Sequence, residues 1–293
     1  MDSYTIKDLE NLSGIKAHTI RIWEQRYNFL KPCRTCTNIR YYSNDELKKI
    51  LNIALLNKYG YKISHIDKMD ESELKEKLLT LSQCEAQHEK IVNELVQCMV
   101  DVDMQTFENA LDKYISAKGI EKAMMQVIFP FLEKTGILWL TNNINQAQER
   151  LVSNIIRRKI IFGTESISSP AKINKKVLLF LPEGEHHELG ILFVNYLLKK
   201  RGIPTIYLGS NTSFEDVLYL VKLKKPDYIY CHLTSACQNF NFDEFISLAA
   251  QKIPEVPFVI SGKLADCHHR SILNSIHLNN SLAEITEFVS SIQ

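Results

Sequence analysis

The run Glu183-Gly184-Glu185-His186-His187-Glu188-Leu189-Gly190 holds residue types and spacings suited to chemistry. A His two positions after an acid can offer one ring nitrogen to a metal while the carboxylate receives the proton on the other. That bond fixes the tautomer and raises ligand basicity. Gly190, three further on, lets a bulky ligand approach a helix start. The alternative is a polar loop that happens to be rich in Glu and His. Cys33-Arg34-Thr35-Cys36 has zinc-like spacing, but no second Cys or His pair stands nearby. Cys231-His232, Cys237 and Cys267-His268-His269 follow two strand-like runs and could meet at strand ends; thiols buried as small hydrophobes are the alternative.

The elements that must hold the Glu-His run alternate strand and helix over about 175–293. Lys176–Leu181 is a continuous apolar run, as buried parallel strands are. Further strands are expected at Ile203–Leu208, Tyr228–Leu233 and Pro257–Ile260, with helices at Leu189–Arg201, Phe214–Leu223 and Phe242–Ala250. This alternation predicts a doubly wound parallel-sheet (Rossmann-like) domain with ligands at the carboxyl ends of its strands. No Gly-rich dinucleotide fingerprint follows the first strand. The segment before it, about 71–170, reads as a helical bundle of about four helices. Ser72–Leu79 starts a charged helix, Ile91, Leu95, Met99 and Val102 share a face, and Met104–Ser116, Ile120–Gly136 and Ile144–Thr164 follow. Within it, Trp139 precedes Glu149 by nine intervening residues.

At the N-terminus, Ile6, Leu9, Leu12 and Ile15 give a helical stripe broken by Ser13-Gly14, which allows a steep turn. Lys16 to Tyr27 forms a second helix with Ile20 and Trp23 inward and its N-terminal half polar and exposed, the arrangement that reaches base edges in the major groove. Pro32 ends it, and Arg34-Thr35 with Arg40-Tyr41-Tyr42 reads as a β-hairpin wing. The expected architecture is a multidomain α and α/β chain: a winged helix-turn-helix at 1–72, a helical bundle at 73–172 and the α/β domain at 173–293. The residues expected to meet DNA are Lys16, His18, Thr19, Arg21, Arg26, Arg34, Arg40 and Tyr41.

The stretch Ile20-Arg21-x-Trp23-Glu24-x-Arg26-Tyr27, with Pro32, Arg34, Arg40 and Tyr42, resembles the MerR family of transcription regulators over about residues 3–70. By that likeness Ser43 caps the next helix. The α/β segment is similar to cobalamin-binding domains, whose D-x-H-x-x-G appears here as Glu185, His187 and Gly190, and the bundle resembles the cap that precedes them. MerR-type regulators with this module, the light-sensing CarH/LitR type, also use Glu. The resemblance implies His187 as the lower axial ligand of cobalt and Trp139 over the upper face against an adenosyl group. It places Glu149, Glu185, Gly190, Gly209, His232, Thr234, Ser261 and Gly262 around the cofactor, cobalamin or adenosylcobalamin. Four positions depart from the pattern: Arg150 stands for a cap His, His232 for a Ser, Thr234 for an apolar residue, and Ser261-Gly262 for Gly-Gly.

Charge agrees with this division. Residues 1–70 hold 12 Lys/Arg against 8 Asp/Glu, and the rest 23 against 26. A modestly basic start on a chain of net charge +1 fits a DNA-reading module joined to one that does not touch DNA. No run of about 18 apolar residues and no signal peptide is seen. Seven scattered cysteines read as reduced thiols, so a cytoplasmic protein with no membrane partner is expected. The implied partners are a double-stranded DNA operator, a second copy in a homodimer or homotetramer, and RNA polymerase. Two other readings remain: a regulator whose C-terminal module lacks a cofactor and serves oligomerisation, and a cobalamin-dependent methyl-transfer enzyme, against which the DNA module and the want of a substrate domain argue.

Overall fold

The computed structural model describes all residues except 1–3, 28, 36, 82–83, 141–142, 169–172, 235–239, 264–275 and 280. It divides into two compact units, Met1–Ile155 and Ile156–Gln293.

In the first unit α1 (Ile6–Ser13) opens on a reciprocal cap. The Thr5 hydroxyl accepts from the Asp8 amide and the Asp8 carboxylate accepts from the Thr5 amide, which satisfies two otherwise orphaned donors. Gly14 ends the helix at φ 74°, a left-handed turn that glycine adopts without strain. Leu9 and Leu12 of the apolar stripe are buried, whereas Ile6 and Ile15 are half-buried. In α2 (Ala17–Arg26) Ile20 and Trp23 point inward. The wing pairs β1 (Cys33–Arg34) with β2 (Arg40–Tyr41), Arg34 opposite Arg40. Just beyond it, Tyr4 and Tyr42 exchange two backbone bonds of 2.9 Å. Ser43 and Glu46 form a second reciprocal cap on α3 (Asn44–Lys58). Two helices, α4 (Ile63–Ile66) and α5 (Glu71–Thr80), follow.

The bundle helices are α6 (Cys84–Asp101), α7 (Met104–Lys118), α8 (Ile120–Ala123), α9 (Phe129–Leu140) and α10 (Gln146–Glu165). Two expectations need correction. Val102 does not extend the buried stripe of Leu95 and Met99: it lies past the end of α6 with φ 58° and is 51% exposed. The single helix expected over Ile120–Gly136 is divided by a π-helical turn at Met124–Ile128. Pro130 explains the turn. It has no amide hydrogen and its ring would strike the carbonyl of Gln126 in a regular helix; the wider turn, in which the Phe129 amide reaches back to Met124, makes room. Burial pushes the Lys134 ammonium of α9 down to about 8, and it donates to Asn93 Oδ1 at 2.7 Å.

The second unit is a five-stranded sheet of order β4-β3-β5-β6-β7, every pairing parallel. Its strands are β3 (Val177–Pro182), β4 (Thr205–Thr212), β5 (Tyr228–His232), β6 (Phe258–Ser261) and β7 (Ile276–Asn279). All six residues of β3 are buried, which is why that segment reads as unbroken apolar sequence rather than an alternation. The covering helices are α11 (Leu189–Lys200), α12 (Phe214–Lys224), α13 (Phe242–Lys252) and α14 (Leu282–Ser291). Phe180, Val217, Phe245 and Phe258 share one core cluster. The sequence reading omitted β7 and α14.

Candidate functional site

Two sets of residues carry the chemistry, one in each unit. On α2, Lys16, His18 and Arg21 are exposed, Thr19 is half-buried, and Arg26 is exposed in the last turn. The Lys16 ammonium stands 3.4 Å from Glu10, and Thr19 Oγ1 lies 3.3 Å from His18 Nε2. The wing is tied to this helix through Glu24. One of its carboxylate oxygens accepts from Arg40 Nε at 3.0 Å and the other from the Tyr42 hydroxyl. Burial, then that bond, pushes the Tyr42 phenol well above its usual range. Arg40 therefore holds the wing with one donor and keeps the rest of its guanidinium fork. Arg34, exposed at the wing, donates to Asn38 at 2.6 Å. The Tyr41 phenol is raised first by its hydrogen bond with Cys33. Cys36, the other half of the zinc-like pair, lies outside the described residues.

The Glu-His loop lies between β3 and α11. Glu185 is 2% exposed and is its hub. Oε1 accepts the amides of His186 and His187 at 2.9 Å each and receives His187 Nδ1 at 2.6 Å. Oε2 accepts the Thr234 amide at 2.8 Å, which joins the loops after β3 and β5. A carboxylate placed so makes Nδ1 the protonated nitrogen of His187 and leaves the lone pair on Nε2. The His187 side chain is 52% exposed.

The other predicted residues of this unit take definite places. Gly190 is the second residue of α11. Gly209 takes φ 84° where the β3–β4 register slips. His232 ends β5, and its Nδ1 lies 2.8 Å from Ser261 Oγ, which also accepts from the Tyr230 hydroxyl at 2.6 Å. Burial pushes the His232 imidazole down to about 4, so it is neutral at ordinary pH. Gly262 follows β6 with φ 101°. Sequence reasoning missed Glu188, which pairs with Arg157 at 2.8 Å, and Tyr230; neither stands in a recognisable spacing. Trp139 and Glu149 belong to the first unit. Trp139 is 45% exposed on α9, and Glu149 is half-buried on α10 beside exposed Arg150. Of the second cysteine cluster, Cys231 is buried and its thiol is raised well above its usual range by burial, as befits a core residue. Cys237, Cys267, His268 and His269 lie outside the described residues. Among the described residues no group of three or more His, Cys, Asp or Glu side chains could hold a metal ion.

These residues fit a cobalt-centred ligand at one point and oppose it at another. The His187–Glu185 pair has the donor chemistry of a single axial ligand. Below it, however, the His232 ring fills the hollow that Gly190 leaves: a β-carbon at Gly190 would stand 2.2 Å from His232 Nε2.

Residues 4–73 match the MerR HTH family regulatory protein family, and residues 91–161 match the B12 binding domain family. The chain is 26% identical over 276 residues to the HTH-type transcriptional repressor CarH of Myxococcus xanthus, covering 91% of each chain. It is 24% identical to the HTH-type transcriptional repressor CarA of the same organism, over 92% of this chain and 90% of that one. Among solved structures, the monomethylamine corrinoid protein of Methanosarcina barkeri aligns at TM-score 0.53 with 11% identity, over 70% of this chain and all of that one, a likeness of fold. No helix among the described residues is long and apolar enough to cross a membrane.

Proposed function

We propose, for a chain that is a MerR-type DNA-binding regulator with a cobalamin-binding-type module, that a dimer or dimer of dimers binds a pseudo-palindromic operator and that a corrinoid held by His187 sets its oligomeric state. A single small helix-turn-helix offers too little contact for specificity, so two recognition helices must engage successive half-sites. In this reading Lys16, His18, Thr19 and Arg21 would reach base edges, and Arg26, Arg34, Arg40 and Tyr41 would hold phosphate. Binding over a promoter would exclude RNA polymerase, in keeping with the two repressors that this chain resembles.

The observation that carries the reading is the coexistence in one chain of an exposed polar recognition helix with an imidazole already oriented for metal. A corrinoid, if bound, would be held by His187 and would supply a cobalt centre with an exchangeable ligand. The chain's own residues do the rest. Glu185 holds the His187 proton at Nδ1, keeps Nε2 basic, and ties the loop to Thr234. Trp139 and Glu149 are proposed as further contacts to the corrinoid. Arg150 carries no lone pair and cannot replace an axial ligand, so any switching works without a second protein imidazole from that position.

The test uses the full chain with adenosylcobalamin and with aquacobinamide. A retained cobalt absorbance band after desalting, lost in H187A, supports the cofactor. A change in operator binding or oligomer size between cofactor-free and loaded protein supports the switch. No retained band with either corrinoid would mean that the module serves oligomerisation alone.

A further inference from the structure

In a parallel sheet of this order the winding reverses between β3 and β5, and the crevice at their carboxyl ends is where ligands bind. Among the described residues, the His232 ring narrows that crevice. His232, the last residue of β5, lays its ring so close to the Gly190 backbone that a β-carbon there would meet Nε2 at 2.2 Å and Cδ2 at 2.6 Å. The ring is anchored, since Nδ1 lies 2.8 Å from the hydroxyl of fully buried Ser261, which Tyr230 also contacts. On the neighbouring side the backbone is closed as well. A β-carbon at Gly262 would lie 2.3 Å from the Leu233 carbonyl oxygen, and the Leu233 amide donates to the Ser261 carbonyl at 2.8 Å. On the third side, Glu185 binds the Thr234 amide.

Complete cobalamin brings its own lower ligand, a nucleotide-linked benzimidazole. For His187 to reach cobalt, that nucleotide would have to leave the metal and find room beside His187, at the strand ends where His232 stands against Gly190. We propose that this site selects a corrinoid without a lower nucleotide, of the cobinamide class, over complete cobalamin, and that His232 is the residue that sets this specificity. The proposal rests on the reading of His187 as the cobalt ligand.

The experiment titrates the full chain with aquacobinamide and, separately, with hydroxocobalamin, following the cobalt absorbance and the stoichiometry of the tight site. Wild type is expected to bind aquacobinamide at least about tenfold more tightly, at one site that H187A removes. H232S, which opens the hollow beside Gly190, is expected to bring the two affinities within about threefold. Equal affinity of the wild type for both probes, or preference for hydroxocobalamin, overturns the proposal without reference to any variant. H232S that keeps wild-type affinity for aquacobinamide yet still rejects hydroxocobalamin overturns the role of His232. If wild type and H232S bind neither, the reading of His187 as a cobalt ligand falls, and this specificity with it.

Discussion

Replacing Glu185 by Gln isolates what its charge contributes, because size and shape hardly change. In the wild type its two oxygens accept four donors, at 2.9, 2.9, 2.6 and 2.8 Å. The Gln carbonyl oxygen can keep the three on the Oε1 side, each now neutral and weaker by roughly 0.5–1 kcal/mol. The Gln amide then faces the Thr234 amide, donor against donor, and that bond is lost at about 1–2 kcal/mol. The joint between the loops after β3 and β5 should weaken by about 2.5–5 kcal/mol, a large share of a domain stability on the order of 5–15 kcal/mol. Hydrogen exchange followed by mass spectrometry on peptides over 182–190 and 228–234 reads this directly. The amides of His186, His187 and Thr234 should exchange faster by on the order of 60- to 4,000-fold, at about tenfold per 1.4 kcal/mol. Affinity for a cobalt probe should fall about 10- to 100-fold as the imidazole loses its orienting partner. Unchanged protection at His187 and Thr234 in E185Q would refute the hub.

Arg21→Ala should weaken operator binding by roughly 1–3 kcal/mol at fixed salt and relax the sequence preference, whereas Arg40→Ala, whose side chain also ties the wing to Glu24, should reduce affinity across sequences alike; gel shifts on operator and scrambled DNA separate the two, and an undiminished affinity in the double variant contradicts the placement of both. The folded His232 imidazole, at about 4, lies below the unfolded value of about 6.5, so the unfolded chain binds the extra proton between them. Stability of the second unit is therefore full above about pH 6.5 and falls by about 2–3 kcal/mol as pH drops toward 4, burial and His187 lowering the His232 value and Glu185 opposing them; H232S should flatten that slope in denaturation followed from pH 7 to 4, and an equal slope in both proteins counts against it. Lys134, at about 8 when folded, lies below its unfolded value of about 10.4, so stability of the first unit should rise from pH 8 to 10. At pH 7 K134M should stabilise it by about 1–2 kcal/mol after the lost Asn93 bond is counted, and destabilisation in urea melts would contradict this.

Local grammar was legible in the sequence. The Ser13-Gly14 break, the inward Ile20 and Trp23, the Ser43 cap and the apolar run that became β3 each depend on residues within one or two turns of each other, and each is where it was expected. What was not legible depends on distance along the chain. The Thr234 amide reaches Glu185 across 49 residues, and the His232 ring meets Gly190 across the sheet; no spacing announces either. In the sequence His232 is only a departure at a Ser position, and its anchor on Ser261 appears only in the fold. Val102 obeys the helical period, but the chain turns there into a left-handed residue before α7, so periodicity ran past the end of the helix. The π-helical turn was hidden because Pro130 marks a disturbance without saying which form it takes. The strand β7 is only four residues long, with His277 exposed at its second position, and offers too weak a pattern to be distinguished from loop.

The central position of β3 has a bearing on how the chain is made. Its first partner, β4, follows within one helix, but its second, β5, pairs Val177 with Tyr228, and β6 and β7 can add only after that. A parallel sheet of such distant pairings is slow to assemble, because loop closure must precede any contact that rewards it. The first unit is built mainly of helices packed on near neighbours in the chain, although α1 also packs on α9. During synthesis the DNA-reading half therefore emerges and folds while the sheet that carries His187 is still missing strands. A nascent chain would acquire its recognition helix before its sensor, and the cell would contain, for the length of that delay, a reader that cannot yet be instructed.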